Sequence, residues 1–341
     1  MKLATYKDGS RDGQLVVVSR DLRTAHYATG IAGKLQQVLD DWRFYAPQLQ
    51  DLYDALNRAG EGGASVSQVR HAFAFDPRQC MAPLPRACQW VAASAYLNHV
   101  ELLRRTGDAP VRQSDPLLCQ GASDDLAGPH DDVVCASETA GIDFCAGLAV
   151  ITGDVRLGTP PAQALDEIRL FMLVNEVNLR NLAPSEAGKG GSLVQSKPMT
   201  AFSPVAVTLD ELLFNGASAW DKGRVHLTLQ SSWNGRKVGL CETGPEMSFH
   251  FGQLIAHLCK TRNVRAGSII GTGAVSNQDK SHGYSCIAEK RALELRQDGQ
   301  ALTDYMKYGD TIRIEVKGRD GKSLFGAIEQ EVVPLEGTER A

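Results

Sequence analysis

The feature of this chain that most restricts its possible folds is that its apolar runs are short. The longest strongly apolar stretch, Phe144 to Thr152, is far shorter than the roughly 20 apolar residues of a membrane-spanning helix. Residues 141–152 instead predict a strand buried inside a protein core. The N-terminal sequence MKLATYKDGS lacks the apolar segment of a signal peptide. We therefore expect a soluble, cytoplasmic protein that makes no contact with a membrane.

Chain length and turn-forming residues predict two domains. At roughly 100–200 residues per domain, 341 residues suggest two. We expect a small β-rich N-terminal domain over residues 1–79, in which Gly60-Glu61-Gly62-Gly63 ends the second helix and forms a linker. The larger C-terminal domain, residues 80–341, opens with a proline-containing stretch from Cys80 to Pro85.

The periodicity of apolar residues predicts an α+β fold with many short strands. Strands are predicted at 15–19, 25–28, 141–152, 225–229, 237–240, 312–316 and 324–328. Helices are predicted at 35–42, 49–59, 90–105 and 247–261, and a long helix after Pro161 with Ala164, Ile168, Phe171 and Val174 on one face. Residues 106–134, rich in Asp, Gly and Pro, are predicted to form a long loop.

Charge and cysteine spacing exclude two classes of function. The 36 basic and 40 acidic residues are dispersed and give a net charge of −4. Nucleic-acid binding is not expected, because it depends on clustered Lys and Arg. None of the eight cysteines has the C-x-x-C spacing or a His at the distance typical of a zinc site. This pattern favours a reducing compartment, with most cysteines serving as small core residues.

The segment Gly271-Thr272-Gly273 has some likeness to a dinucleotide-binding loop, since it follows the apolar pair Ile269-Ile270. However, the next residues, Asn277 to Lys280, favour a turn, whereas a dinucleotide site needs a helix N-terminus for the pyrophosphate. We therefore expect a bend from strand to loop, where backbone amides can approach a ligand.

Three polar residues are candidates for chemistry, although each also has an ordinary explanation. His99 lies in a predicted helix and could be a general base, a packed histidine or a surface residue. Lys197 lies in a loop and, taken alone, is typical of a solvated lysine. Glu289 precedes Lys290 and Arg291 and could be half of a surface ion pair.

Taken in order, however, several fragments together resemble the fumarylacetoacetate hydrolase family, most closely its bacterial members with a short N-terminal domain. The fragments are Lys7 to Gly13, Trp90…Tyr96…His99, Gly141-Ile142-Asp143-Phe144, Val174-Asn175-Glu176, Gln195-Ser196-Lys197-Pro198, Ser203-Pro204, Gly271-Thr272-Gly273 and Gly283-Tyr284-Ser285-Cys286. The resemblance covers essentially the whole chain.

The resemblance implies a fold and a chemistry. The expected fold is a small β-rich N-terminal domain followed by a C-terminal mixed β-roll, in a protein that is usually a homodimer. Family enzymes cleave a carbon–carbon bond in β-diketo acids such as acylpyruvates. In these enzymes an Mg or Ca ion acts as Lewis acid and template. A His polarised by a Glu activates the attacking water.

Carried over to this chain, the resemblance assigns roles to six residues. His99 matches the general base, and Glu289 is the best match for its carboxylate partner. Lys197 matches the lysine of the substrate pocket, which would stabilise a developing enolate. Thr272 matches a residue that contacts the substrate. Tyr96 and Arg180 are further substrate-binding candidates on position alone.

The metal ligands of the family are largely missing at the matching positions. The four positions carry Ala92, Cys145, Gly147 and Glu176, where the family has carboxylates. Mg and Ca require several oxygen donors, which Ala and Gly lack, and Cys is a soft ligand suited to other metals. We therefore expect no metal cofactor of the family type. Cys145 is interpreted either as a small filler of the vacated space or as a reactive thiol.

Three functions follow from this mixture of retained and lost residues. The first is hydrolysis of a β-diketo or acylpyruvate-type acid. The second is a metal-independent isomerase, decarboxylase or cyclase acting on a related oxoacid or enol, for which a base and an oxyanion site suffice. The third is a non-catalytic relative that binds a small acid or a partner protein. The fold alone does not distinguish these functions.

Overall fold

The computed structural model describes residues 1–61, 69–104, 115–190, 192–214, 219–318 and 321–336. Its α-helices are α1 (Leu35–Asp40), α2 (Trp42–Glu61), α3 (Leu97–Leu103), α4 (Pro161–Ala164), α5 (Ala183–Gly188), α6 (Leu209–Phe214), α7 (Phe251–Leu258) and α8 (Ile287–Asp298). Its first ten strands are β1 (Lys2–Tyr6), β2 (Gln14–Val18), β3 (Thr24–Tyr27), β4 (Phe73–Ala74), β5 (Gln89–Ala93), β6 (Leu118–Gly121), β7 (Val133–Cys135), β8 (Ile142–Asp143), β9 (Ala146–Thr152) and β10 (Ile168–Glu176). The remaining strands are β11 (Asn178–Leu179), β12 (Thr200–Phe202), β13 (Ala206–Val207), β14 (Trp220–Asp221), β15 (Arg224–Val225), β16 (Thr228–Trp233), β17 (Arg236–Glu242), β18 (Ser268–Gly271), β19 (Thr311–Val316) and β20 (Ile328–Pro334).

The architecture is the predicted α+β fold on mixed sheets. Within the described residues the largest sheet has the strand order β4-β3-β2-β1-β13-β10-β9-β18-β5-β6, and β12 also pairs with β10. Its strands are antiparallel except for the parallel pair of β18 with β5. A second sheet has the order β17-β16-β19-β20-β7. The N-terminal strands join the large sheet directly, through the pairing of β1 with β13.

Several predicted elements are confirmed. Strands β2 and β3 pair as expected, with Val17 opposite His26. Helices α1, α2 and α7 lie where periodicity placed them, and β16 and β17 form the predicted hairpin across Asn234-Gly235. The predicted linker lies partly in residues 62–68, outside the described part of the chain. The domain boundary at residues 79 and 80 stays a prediction.

Two helix predictions are wrong. The predicted helix 90–105 is strand β5 followed by the shorter helix α3. The predicted long helix after Pro161 is the four-residue helix α4, a short 3₁₀ turn and then strand β10. Strand β10 is buried on both faces from Leu170 onward. A strand covered on both sides is apolar at nearly every position, so its sequence matches a helical period as well as a strand period.

The central strands divide the core into two halves. Leu148 and Val150 of β9 pack on one side of the sheet, whereas Ala149 and Ile151 pack on the other, against the buried faces of α1 and α2. This alternation follows from the two-residue repeat of a strand. Among the described helices, none is both long and apolar enough to cross a membrane.

The sheet also brings distant parts of the sequence to one edge. Strand β9 begins where its antiparallel neighbour β10 ends, since Ala146 pairs with Asn175. Strand β18 lies on the other side of β9, with Gly271 opposite Ala149. Residues just before β9, at the end of β10 and just after β18 therefore lie close together, beside helices α3 and α8.

Candidate active site

A buried histidine–carboxylate pair joins helices α3 and α8. The Nδ1 atom of His99 lies 2.7 Å from Oε1 of Glu289, and only 14% and 5% of the two side chains is exposed. Burial by itself lowers the pKa of His99, but the hydrogen bond and negative charge of Glu289 outweigh it and raise the pKa above its ordinary value. A neutral His99 that donates Nδ1–H to Glu289 leaves Nε2 able to accept a proton.

Asp143 connects this pair to the rest of the site. The Asp143 side chain is fully buried, and its carboxylate accepts hydrogen bonds from the backbone amides of Ile287 (2.6 Å) and Ala288 (3.1 Å) at the start of α8. The same carboxylate accepts from Nε of Arg180 at 2.8 Å. A carboxylate at a helix N-terminus satisfies amides that have no partner within the helix. Asp143 therefore fixes the turn of α8 that carries Glu289.

Cys145 lies between these charged groups. Its backbone amide donates to Oδ1 of Asn175 at 2.9 Å, and its Sγ lies 4.0 Å from Nη2 of Arg180. It faces Cys286 across an isolated antiparallel bridge. A hydrogen bond from Cys286 lowers the pKa of the Cys145 thiol, burial opposes this, and the positive charges of Arg180 and His99 add to the lowering.

A second ion pair, between Glu176 and Lys197, lies on the other side of the site. Oε1 of Glu176, at the end of β10, lies 2.5 Å from Nζ of Lys197, and both side chains are largely buried. The negative charge of Glu176 also reaches Cys145, whose pKa it raises. The predicted pocket lysine is thus at the site, and its charge is balanced by a carboxylate.

The two remaining substrate-binding candidates lie beneath the surface. Tyr96 is fully buried and donates its hydroxyl to the carbonyl of Thr243 at 2.6 Å. The Thr272 hydroxyl accepts from the amide of Leu148 (3.2 Å) and donates to the carbonyl of Gly273 (2.8 Å). In this structure both hydroxyls are therefore bonded to the protein itself. The bend from strand to loop that Gly271-Thr272-Gly273 predicts is present, and Gly273 has a positive φ of 72°.

A cavity of about 500 Å³ opens beside the site. Arg180 and Arg291 line it together with Tyr305 and an apolar wall that includes Leu103 and Ala288. Leu103 and Ala288 also pack against Cys145 and Cys286. The cavity therefore shares Arg180 with the site, borders the residues packed around Cys145 and Cys286, and has room for a small organic acid.

Comparison with known proteins identifies the family. Residues 88–333 match the description "Fumarylacetoacetate (FAA) hydrolase C-terminal", and residues 1–86 match "Fumarylacetoacetase N-terminal domain 2". The chain belongs to the fumarylacetoacetate hydrolase family. The resemblance inferred from sequence fragments is thereby confirmed.

Several solved structures share the fold of this chain over nearly its whole length. The fumarylacetoacetate hydrolase of Exiguobacterium antarcticum has a TM-score of 0.63 at 16% identity, covering 98% of this chain and 100% of its own. The maleylpyruvate hydrolase of Sphingobium sp. SYK-6 has a TM-score of 0.63 at 15% identity, with the same coverage. The 2-hydroxyhepta-2,4-diene-1,7-dioate isomerase of Mycobacterium marinum has a TM-score of 0.58 at 15% identity, covering 99% of both chains. At these identities the likeness shows the fold alone.

The four positions that the sequence resemblance assigns to metal ligands carry side chains that do not fit a hard dication. Ala92 packs in the core, and Gly147 has no side chain. Cys145 offers sulfur, and the single carboxylate, Glu176, is already paired with Lys197. Mg²⁺ and Ca²⁺ need several oxygen donors, which this set lacks. The nearby Asp143 is not available as a further ligand, because it uses both carboxylate oxygens to hold Arg180 and α8.

Backbone packing at Gly147 supports the same conclusion. A Cβ atom at residue 147 would lie 2.3 Å from the carbonyl oxygen of Gly273 and 3.0 Å from Oγ1 of Thr272. The loop after β18 thus occupies the space that a side chain at this position would need. A carboxylate here would require the loop to move.

We expect the substitution Gly147→Ala to lower the free energy of unfolding by about 1–3 kcal/mol, the typical cost of overpacking. Chemical denaturation would measure this loss. Gly30→Ala is the matched control, since a Cβ at Gly30 meets no atom within 4 Å and its φ is ordinary. Equal stability of the two variants would show that the loop yields easily and would remove this argument against a carboxylate at position 147.

The structure thus brings most of the predicted site residues together. His99 contacts Glu289, Arg180 reaches Cys145, and Lys197 contacts Glu176. Sequence reasoning missed the roles of Asp143 and Cys286. Asp143 carried a usable signal, because a charged residue inside a buried strand must be paired. The position of Cys286 opposite Cys145 carried none, since it depends on contacts between segments far apart in the chain.

Proposed function

We propose that this chain is an enzyme that cleaves a carbon–carbon bond of a small β-diketo or acylpyruvate-type acid, with His99 as general base and without a resident Mg or Ca ion. The contact of 2.7 Å between His99 and Glu289 carries the proposal. A general base needs a geometric partner and a pKa near the working pH, and Glu289 provides the first and contributes to the second.

In the proposed reaction, Nε2 of His99 removes a proton from water as the oxygen attacks a substrate carbonyl. The resulting tetrahedral intermediate breaks the carbon–carbon bond, and the released electron pair forms an enolate. His99 then returns its proton to the enolate carbon, so that one acid and one ketone-type fragment leave. Arg180 and Lys197, each held by a buried carboxylate, are the cations assigned to stabilise the negative charge that develops.

A metal-independent isomerase or decarboxylase is the second candidate. One observation favours it. The pair of His99 and Glu289 is present, whereas three of the four positions assigned to metal-binding carboxylates hold Ala, Cys and Gly. Moving a proton next to a carbonyl needs a base and an oxyanion site, and it does not need water to attack. A fold shared with both a hydrolase and an isomerase is compatible with either reaction.

The test is an assay of the full-length protein on acylpyruvates and hydroxydienoate acids, with products identified by NMR. We expect acylpyruvate cleavage at a rate that neither EDTA nor added MgCl₂ changes. Strong stimulation by Mg²⁺ would contradict the metal-independent part of the proposal. Double-bond migration without cleavage would favour the isomerase, and calorimetric binding of these acids with no turnover would reject both reactions.

A further inference from the structure

The two cysteines at the centre of the site form a pair that the proposed reaction does not use. We propose that Cys145 and Cys286 are an oxidation site, at which a hydroperoxide converts the two thiols into a reversible disulfide beside His99 and Glu289. The eight cysteines of the structure are all free thiols. The proposal does not depend on which reaction the site catalyses.

The backbone geometry suits a disulfide between these residues. Cys145 and Cys286 are directly opposite each other in an antiparallel bridge. Opposed residues in such a pair have Cα atoms about 4.5–5.5 Å apart, within the range of about 4.4–6.8 Å found in disulfides. The next hydrogen bond, from the amide of Ala146 to the carbonyl of Ser285 at 2.9 Å, holds the two segments in this register. A disulfide can therefore form without large backbone movement.

The surroundings of the two thiols assign them different roles. Cys145 lies 4.0 Å from the guanidinium of Arg180, and that positive charge favours its thiolate. Burial and the neighbouring carboxylates of Asp143 and Glu289 raise the pKa of Cys286. Because the thiolate is the nucleophile, Cys145 attacks the oxidant and Cys286 resolves the product.

The two steps balance with hydrogen peroxide as the oxidant. The sulfur of Cys145 attacks one peroxide oxygen and the O–O bond breaks, which gives a sulfenic acid and one water. The thiol of Cys286 then attacks the sulfenic sulfur, forms the S–S bond and releases a second water. Two thiols are oxidised, one peroxide is reduced, and an added thiol reverses the change by exchange.

One cavity borders the residues that surround the two cysteines. The cavity of about 500 Å³ is lined by Arg180, Leu103 and Ala288. Leu103 and Ala288 pack against the two cysteines, and Arg180 touches the sulfur of Cys145. Cys145 is 4% exposed and Cys286 is fully buried, so hydrogen peroxide, which is only slightly larger than water, has to pass this wall to reach Cys145.

A soft metal ion is the competing occupant. Ligand atoms of His99, Cys286 and Glu289 lie within 4.8 Å of one another. Such a set could bind zinc, but the guanidinium of Arg180 next to Cys145 repels a cation. The observations favour oxidation, and metal binding is one outcome of the test.

The experiment uses the full-length protein, reduced, treated with EDTA and exposed to hydrogen peroxide. We expect the loss of two of its eight alkylatable thiols, a mass decrease of two hydrogens, and a peptide linked through Cys145 and Cys286. Dithiothreitol should restore both thiols. The Cys88→Ser/Cys119→Ser variant is the matched control: it lacks two exposed cysteines and should still form the link.

Two further variants separate the steps. Cys286→Ser should stop at a sulfenic acid on Cys145 that dimedone captures, and Cys145→Ser should give no dimedone adduct on Cys286. Three results would overturn the proposal: oxidation confined to Cys88 and Cys119, both site thiols still fully alkylated in oxidised wild-type protein, or stoichiometric zinc that protects them. The wild-type peptide map decides the question even if a variant fails to fold.

Discussion

The substitution His99→Ala is expected to lower kcat by about 10²–10⁴-fold on any acid that the wild-type protein turns over, the usual contribution of a positioned general base. The change in KM should be small, because the imidazole moves a proton and is not assigned to binding. Steady-state kinetics on an acylpyruvate would measure both constants. His257→Ala, in helix α7 and lining a different cavity, is the matched control and should retain wild-type kcat.

The pH profile gives a second readout of the same pair. Since Glu289 raises the pKa of His99, the base loses its proton above the ordinary histidine value of 6.5. The rising limb of kcat/KM should therefore lie above pH 6.5. Glu289→Gln removes the negative charge and should move that limb to lower pH while reducing kcat less than His99→Ala does. Full turnover by His99→Ala would contradict the assignment of His99 as the base.

The pair also affects stability in a defined pH window. The pKa of His99 is higher in the folded than in the unfolded chain, so protonation of His99 stabilises the folded protein. This contribution is complete at pH values below the pKa that His99 has in the unfolded chain. That contribution is lost as pH rises through the folded pKa. The kinetic comparison of His99→Ala with wild type is therefore best made on the alkaline side, where both proteins lack this charge and differ least in stability.

Much of the fold could be predicted from the local pattern of apolar residues, and the predictions that were wrong have a physical cause. Helices α1 and α2 are covered along one stripe, so their apolar residues follow a clear period, whereas β2 is buried on both faces and is recognised by its run of three valines. Strand β10 is the counterexample. It is buried on both faces, and Pro160-Pro161 before it is a helix-start signal that applies only to the four residues of α4. Local sequence could not show that the chain turns into the centre of a sheet.

The candidate site could be predicted only through the family resemblance. His99 and Glu289 are 190 residues apart, and no periodicity connects them. The pairing of Lys197 with Glu176, and of Asp143 with α8, depends on the order of strands at one sheet edge. The expectation that metal-binding carboxylates are missing rests on the residue types at the four positions that the resemblance assigns. The close packing of Gly147 against the carbonyl of Gly273, by contrast, is seen only in the three-dimensional structure.

The substitution Asp143→Ala is expected to have the largest effect on stability, about 3–5 kcal/mol, which is the typical cost of removing one partner of a buried ion pair. Two losses combine. Arg180 would keep a buried charge without its partner, and the amides of Ile287 and Ala288 would lose their acceptor at the start of α8. Asp304→Ala is the matched control, because Asp304 and Lys307 form a pair of similar length, 2.9 Å, on the exposed surface. It should unfold like wild type.

Asp143→Asn distinguishes a positioning role from a purely structural one. Asparagine keeps an oxygen for the α8 amides but cannot neutralise Arg180, so we expect a smaller loss of stability than in Asp143→Ala. If Asp143 positions Glu289 through α8, the folded Asn variant should also have a lower kcat and a nearly unchanged KM. The rising limb of its kcat/KM profile should lie at a different pH from that of the wild-type protein. Chemical denaturation and the pH profile measure these two effects separately. An Asp143→Ala protein as stable as wild type would mean that Arg180 finds another partner and that α8 begins without this carboxylate.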